Sequence, residues 1–125
     1  MALKKGLIKM TQQPMMDQRI KKTILDALMN VVDSAPTKAR NYYAHYNSHS
    51  SIANPYEVTS EQFNIWINYI NSTLQIISQY IGMGLYITIR NDISTLANQS
   101  SASYTQRTFD ICDRLLKFAQ TIIYL

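Results

Sequence analysis

The chain has 125 residues and a formal net charge of +4; apolar residues make up 46% and charged residues only 16%, against roughly 25% charged in an average soluble domain. That length holds one modest core rather than an array of domains, and the single cysteine excludes an intramolecular disulfide. Three glycines and three prolines favour long helices over many short strands, while nine residues each of Asn, Gln and Tyr supply polarity without charge.

Residues 2–12 are weakly helical, with Leu3, Leu7 and Met10 on one side and Lys4, Lys5 and Lys9 elsewhere. Lys9 and the run Gln12-Gln13-Pro14 break the apolar region that a secretory signal needs. Pro14, with its fixed φ, suits the first turn of a helix over about 15–32. Ile20, Ile24, Leu28 and Val31 or Val32 give that helix a narrow stripe, and Arg19, Lys21 and Lys22 give it a basic side. So thin a stripe cannot build its own core, so the helix needs a surface to lie on.

Asp33-Ser34-Ala35-Pro36 reads as a turn into a short helix over 37–47. There Lys38, Tyr42, His45 and His49 share one face at steps of three and four, flanked by Arg40, Tyr43 and Tyr46. Cations interleaved with aromatics suit nucleic acid, the cations meeting phosphates and the tyrosines offering hydroxyls and flat faces. Half-buried tyrosines packing on the rest of the chain are the competing reading. His45 and His49 stand four apart but lack a third ligand, so neither metal nor cofactor is expected. Residues 1–50 hold eight basic groups against three acids, and 51–125 four against five, a surplus of five and a deficit of one. We therefore expect a basic arm over 1–50, a polar linker over 51–57 containing Pro55, and a self-assembling body over 58–125.

The body opens with the strongest helical pattern in the chain, over 59–81. Phe63, Trp66, Ile67, Ile70, Leu74, Ile77 and Ile81 recur at the spacing of one helix face. Thr59 with Gln62 fits a capping box, and Gly82 and Gly84 are expected to stop the helix by accepting left-handed backbone. A second stripe, Ile65, Tyr69, Ile76 and Tyr80, lies on another face, and the positions between are uncharged amides and hydroxyls. From Gln62 to Ile89 there is no Asp, Glu, Lys or Arg. A solvated helix face is ordinarily charged, so a neutral one with apolar residues points to contact with other protein. The run is long enough to span a bilayer, but its many amides and hydroxyls are costly in hydrocarbon, so no transmembrane segment is expected and the chain reads as soluble.

Leu85, Ile89, Ile93 and Leu96 continue at helical spacing, although the string LYITI alone also suits a strand. Asn98 to Ser103 forms a loop, and Ser103 with Gln106 a second capping box for a last helix over 104–125. That helix has two stripes. Phe109, Cys112, Leu116, Ala119 and Ile123 form one; Ile111, Leu115, Phe118, Ile122 and Leu125 form the other, which we assign, with the second stripe of 59–81, to the assembly interface. Cys112 on an apolar stripe is a core thiol rather than a nucleophile.

Two resemblances bear on function. Arg40-Asn41-Tyr42-Tyr43-Ala44-His45 resembles the R-N-x-x-x-H motif of HEPN-domain ribonucleases, small all-helical dimers. That likeness implies a metal-independent ribonuclease or toxin in which Arg40 binds phosphate and orients the 2′-hydroxyl while His45 transfers the proton. The layout of the whole chain, a basic helix-turn-helix arm, a polar hinge and a low-charge helical body rich in Tyr, Asn, Gln and Ser, resembles the coat proteins of filamentous archaeal viruses. This second likeness implies a non-enzymatic virion subunit, present in the host cytoplasm during assembly, whose arms wrap double-stranded DNA in an A-like form. It implies helical packing with copies of itself and admits a related second coat protein. The phosphate contacts would come from Lys4, Lys5, Lys9, Arg19, Lys21, Lys22, Lys38 and Arg40, with Tyr42 and His45 beside them, and would be independent of base sequence. We expect an all-α fold with a basic arm and a compact bundle, acting as a DNA-packaging coat subunit.

Overall fold

The computed structural model describes residues 16–36 and 57–125, and among them every regular element is an α-helix: α1 Gln18–Asp33, α2 Ser60–Ile81, α3 Met83–Ala97 and α4 Tyr104–Ile123. They form an up-down-up-down bundle in which each helix packs against its neighbour in sequence and α1 closes the ring against α4. α2 and α4 touch across one diagonal. The core is continuous and almost wholly aliphatic and aromatic, with Ile24, Leu28, Ile70, Leu74, Ile89, Ile93, Leu115 and Ile122 fully buried.

Local chemistry sets the helix ends. The Asp17 carboxylate accepts the Arg19 backbone N–H at 2.7 Å, so α1 begins at Gln18 and not beside Pro14. The capping box of α2 is complete: Thr59 Oγ1 accepts the Gln62 N–H, and Gln62 Oε1 accepts the Thr59 N–H, both at 3.1 Å. On α4 only half of the expected box forms. Ser103 Oγ accepts the Gln106 N–H at 3.0 Å, but the Gln106 amide turns forward and donates to Asp110 Oδ1 at 3.0 Å.

Gly82 alone separates α2 from α3, with φ 86° and ψ 156°, a backbone conformation that L side chains rarely adopt. Gly84 does not share the task; it lies in the first turn of α3, where its carbonyl accepts the Thr88 hydroxyl at 3.0 Å. α3 is a helix along its whole length, and LYITI adopts the helical alternative with Ile89 in the core.

The expectation of an arm separate from the body does not describe α1. Its stripe is sealed in the shared core, where Ile24, Leu28 and Val31 are buried chiefly against α4. The surface it needed is the bundle itself. Trp66 pins the far end of α1 by donating its indole N–H to the Val31 carbonyl at 2.9 Å, one of the last-turn acceptors that a helix leaves without its regular partner. Phe63 packs edge-on beside Trp66, with ring centroids 6.3 Å apart, and lies 5.2 Å from the Tyr104 ring. No helix among the described residues is long and apolar enough to cross a membrane.

Candidate assembly and nucleic-acid surfaces

Of the residues expected to meet nucleic acid, Lys4, Lys5, Lys9, Lys38, Arg40, Tyr42 and His45 lie outside the described residues, as do the alternative catalytic pair Arg40 and His45 and the short helix over 37–47. Arg19, Lys21 and Lys22 sit on α1. Lys21 Nζ donates to the Ile123 carbonyl at 3.0 Å, supplying a cation to the end of α4 where the helix dipole is negative. Lys22 Nζ lies 2.8 Å from Asp26 Oδ2 one turn on, and the hydrogen bond first and charge attraction second raise its pKa. Only Arg19 of the three is exposed without an ion pair among the described residues. Two of the three lysine and arginine groups are therefore bonded within the bundle, which weakens the reading of α1 as a basic face.

The charge partition is sharper than the halves of the sequence suggest. Residues 16–36 carry three basic and three acidic groups, and 57–125 carry four and five. The entire surplus of five therefore belongs to Lys4, Lys5, Lys9, Lys38 and Arg40, in two stretches that contain no acid. The stretches join the bundle at opposite ends. Met16 N–H reaches the Leu125 carbonyl at 3.4 Å and lies with Ile81 and Leu85, whereas Pro36 lies with Gln62 and Trp66 and Val58 N–H bonds Thr105 Oγ1 at 2.9 Å.

The outer stripe of α2 is open to solvent. Ile65 and Ile76 are 65% and 64% exposed, with Tyr69 and Tyr80 also open to solvent. The α4 assignment is corrected. Ile111, Leu115, Phe118 and Ile122 are buried in the protein's own core and Leu125 is half-buried against it, because this stripe faces α1 and α3. α4's outward apolar residues are Leu116 and Ile123, drawn from the stripe read as core. Met83 and Ile87 on α3 are exposed as well; they are four apart on the side opposite Leu85 and Ile89, a spacing that the sequence carries but that the core pattern of α3 overshadows.

Between α2 and α3 runs an open groove of about 600 Å³, lined among others by Asn64, Asn71, Gln75, Tyr86, Arg90 and Asn98. Its lining is mostly neutral, with Arg90 the one charged side chain. Other charged groups knit the helices. Arg114 Nη2 and Asp92 Oδ2, 2.8 Å apart, tie α4 to α3. Arg107 donates to the Ala102 and Ala97 carbonyls at 2.9 and 3.1 Å and lies 4.6 Å from the Tyr104 ring centroid.

Cys112 is buried, and burial pushes its thiol up to about 12, so it stays protonated at neutral pH. Among the described residues no three His, Cys, Asp or Glu side chains stand together as a metal site, and no buried side-chain polar atom lacks a partner. No family model, curated protein or solved structure matches the chain.

Proposed function

We propose that this chain is a structural subunit that packages double-stranded DNA without reading its sequence and assembles into a helical filament, as the coat of a filamentous virus resembling those of archaea. It works by binding rather than turnover. Its location would be the virion, and the host cytoplasm during assembly. The observation that carries the reading is the separation of labour in the chain. Five surplus cations sit in two acid-free stretches, while the bundle carries a slight negative charge and presents a neutral, partly apolar α2 face. Cations without acids neutralise phosphates; a face without charges can approach another protein without desolvating ions.

Electron microscopy of the purified protein with and without DNA tests the reading, and filaments on adding DNA are the expected result. Neutralising about five phosphates per subunit gives a log–log slope of affinity against salt of about −4 to −5. An affinity insensitive to salt overturns the proposal. Metal-independent RNA cleavage by the wild type that vanishes in His45→Ala replaces it with the ribonuclease.

A further inference from the structure

The exposed stripe on α2 has an internal symmetry. Ile65 and Tyr69 are four apart, Ile76 and Tyr80 are four apart, and Ser72, also exposed, lies in the middle. A two-fold axis perpendicular to the helix, passing between positions 72 and 73, brings Ile65 opposite Tyr80 of a second copy and Tyr69 opposite its Ile76. Each branched aliphatic then meets an aromatic ring, four times over. Ser72 crosses Ser72, where a small side chain lets two helices approach closely.

We propose that α2 is an isologous interface, pairing antiparallel with α2 of a second copy of this chain about a two-fold axis beside Ser72. A closed two-fold contact requires a self-complementary patch, and this one sets aliphatic against aromatic side chains and carries no charge. No Asp, Glu, Lys or Arg occurs from Gln62 to Ile89, so two copies meet without like-charge repulsion in either direction. The other exposed apolar side chains among the described residues form no comparable stripe: Met83 and Ile87 make one pair on α3, Met29 is on α1, and Leu116, Ile123 and Tyr124 are at α4. The pairing deepens the self-assembly part of the coat reading and rests on it, but it needs no nucleic acid.

The test uses the full chain without DNA. The wild type sediments at twice its 14.4 kDa or at an even multiple. Ser72→Cys, oxidised, converts most of the protein to a disulfide-linked pair, whereas Thr95→Cys, exposed on α3, does not. The native Cys112 is buried and cannot compete. Ile65→Glu alone and Tyr80→Lys alone each leave a monomer, and because both residues are exposed neither change threatens folding. The double variant Ile65→Glu/Tyr80→Lys restores the pair, since antiparallel symmetry sets opposite charges together at both ends of the contact. A wild-type monomer overturns the proposal. A monomer is the result expected if residues 37–56 or a foreign chain cover the stripe; equal linking by the two cysteine variants, or single variants that dissociate without rescue, overturns the proposal as well. Filaments on DNA alongside such a failure leave the coat reading standing; a rescued pair with no affinity for DNA leaves only the interface.

Discussion

At Gly82 two helices are joined through one residue, and the backbone there is held at φ 86° and ψ 156°. A methyl group at that position would meet nothing within 4 Å, so any penalty on substitution is conformational and not steric. Gly82→Ala is expected to destabilise the fold by about 1–3 kcal/mol in urea denaturation. Gly84→Ala, two residues on and inside α3 with equally open surroundings, should stabilise it by about 0.5–1 kcal/mol. The two alanines acting in the same direction would contradict the assigned backbone. Cys112 offers a second check at this scale. Its folded pKa of about 12 lies above the ordinary 9.0 because burial disfavours the thiolate. Between those values the unfolded chain ionises and the folded chain does not. The thiol's contribution to stability is therefore complete below pH 9 and declines as pH rises toward 12. Native-state alkylation at pH 8 should be negligible and should become rapid in denaturant.

Among the elements, α2 is readable in full from sequence and α4 only in part, and the difference is physical. Each carries two apolar stripes, and spacing alone does not say which stripe a neighbour will cover. On α2 the outer stripe is bordered by neutral polar residues over six turns, and it is indeed exposed. On α4 both stripes look alike as long as α1 is assigned to an arm. Once α1 joins the bundle, α4 must face α1 on one side and α3 and α2 on the other, which consumes Ile111, Leu115, Phe118 and Ile122. The missing information is the destination of α1, whose three buried residues fix nothing by themselves. Substitutions on the two stripes should therefore behave oppositely. Ile122→Ala is expected to cost about 2–5 kcal/mol in thermal or urea unfolding, as a core truncation does. Ile76→Lys, on an exposed position, should change stability within about 0.5 kcal/mol yet abolish association in light scattering. A dissociating Ile122→Ala of normal stability would reverse the two assignments.

For the whole molecule, the structure changes which truncation is informative. Removing residues 1–50 would take Ile24, Leu28 and Val31 from the core and bare the face of α4 beneath them. Loss of DNA binding would then report unfolding. Removing residues 1–15 takes only Lys4, Lys5 and Lys9 of the five surplus cations and leaves every described helix whole. On the coat reading it should make the salt slope shallower by about 2.7, at about 0.9 for each phosphate no longer neutralised, with an unaltered circular dichroism melt. An unchanged slope would locate binding elsewhere. The all-α class and the uncharged face are legible in composition and spacing. The tying of Lys21 to Ile123 and of Trp66 to Val31 is not, because such bonds join residues remote in the chain.

α1 can also be regarded as a gauge. Its 16 residues, at about 1.5 Å each, set a rod about 24 Å long between the two points where the cation-bearing stretches attach. A packed helix cannot stretch, so this interval is fixed by residue count and not by the flexibility of what it joins. It is shorter than the roughly 34 Å of one duplex turn, so both attachment points of a subunit lying along DNA would fall within a single turn. Lengthening or shortening the rod by a helical turn would shift that interval by about 5.4 Å, but it would also move Ile24, Leu28 and Val31 out of register with the core, so the bundle itself holds the interval.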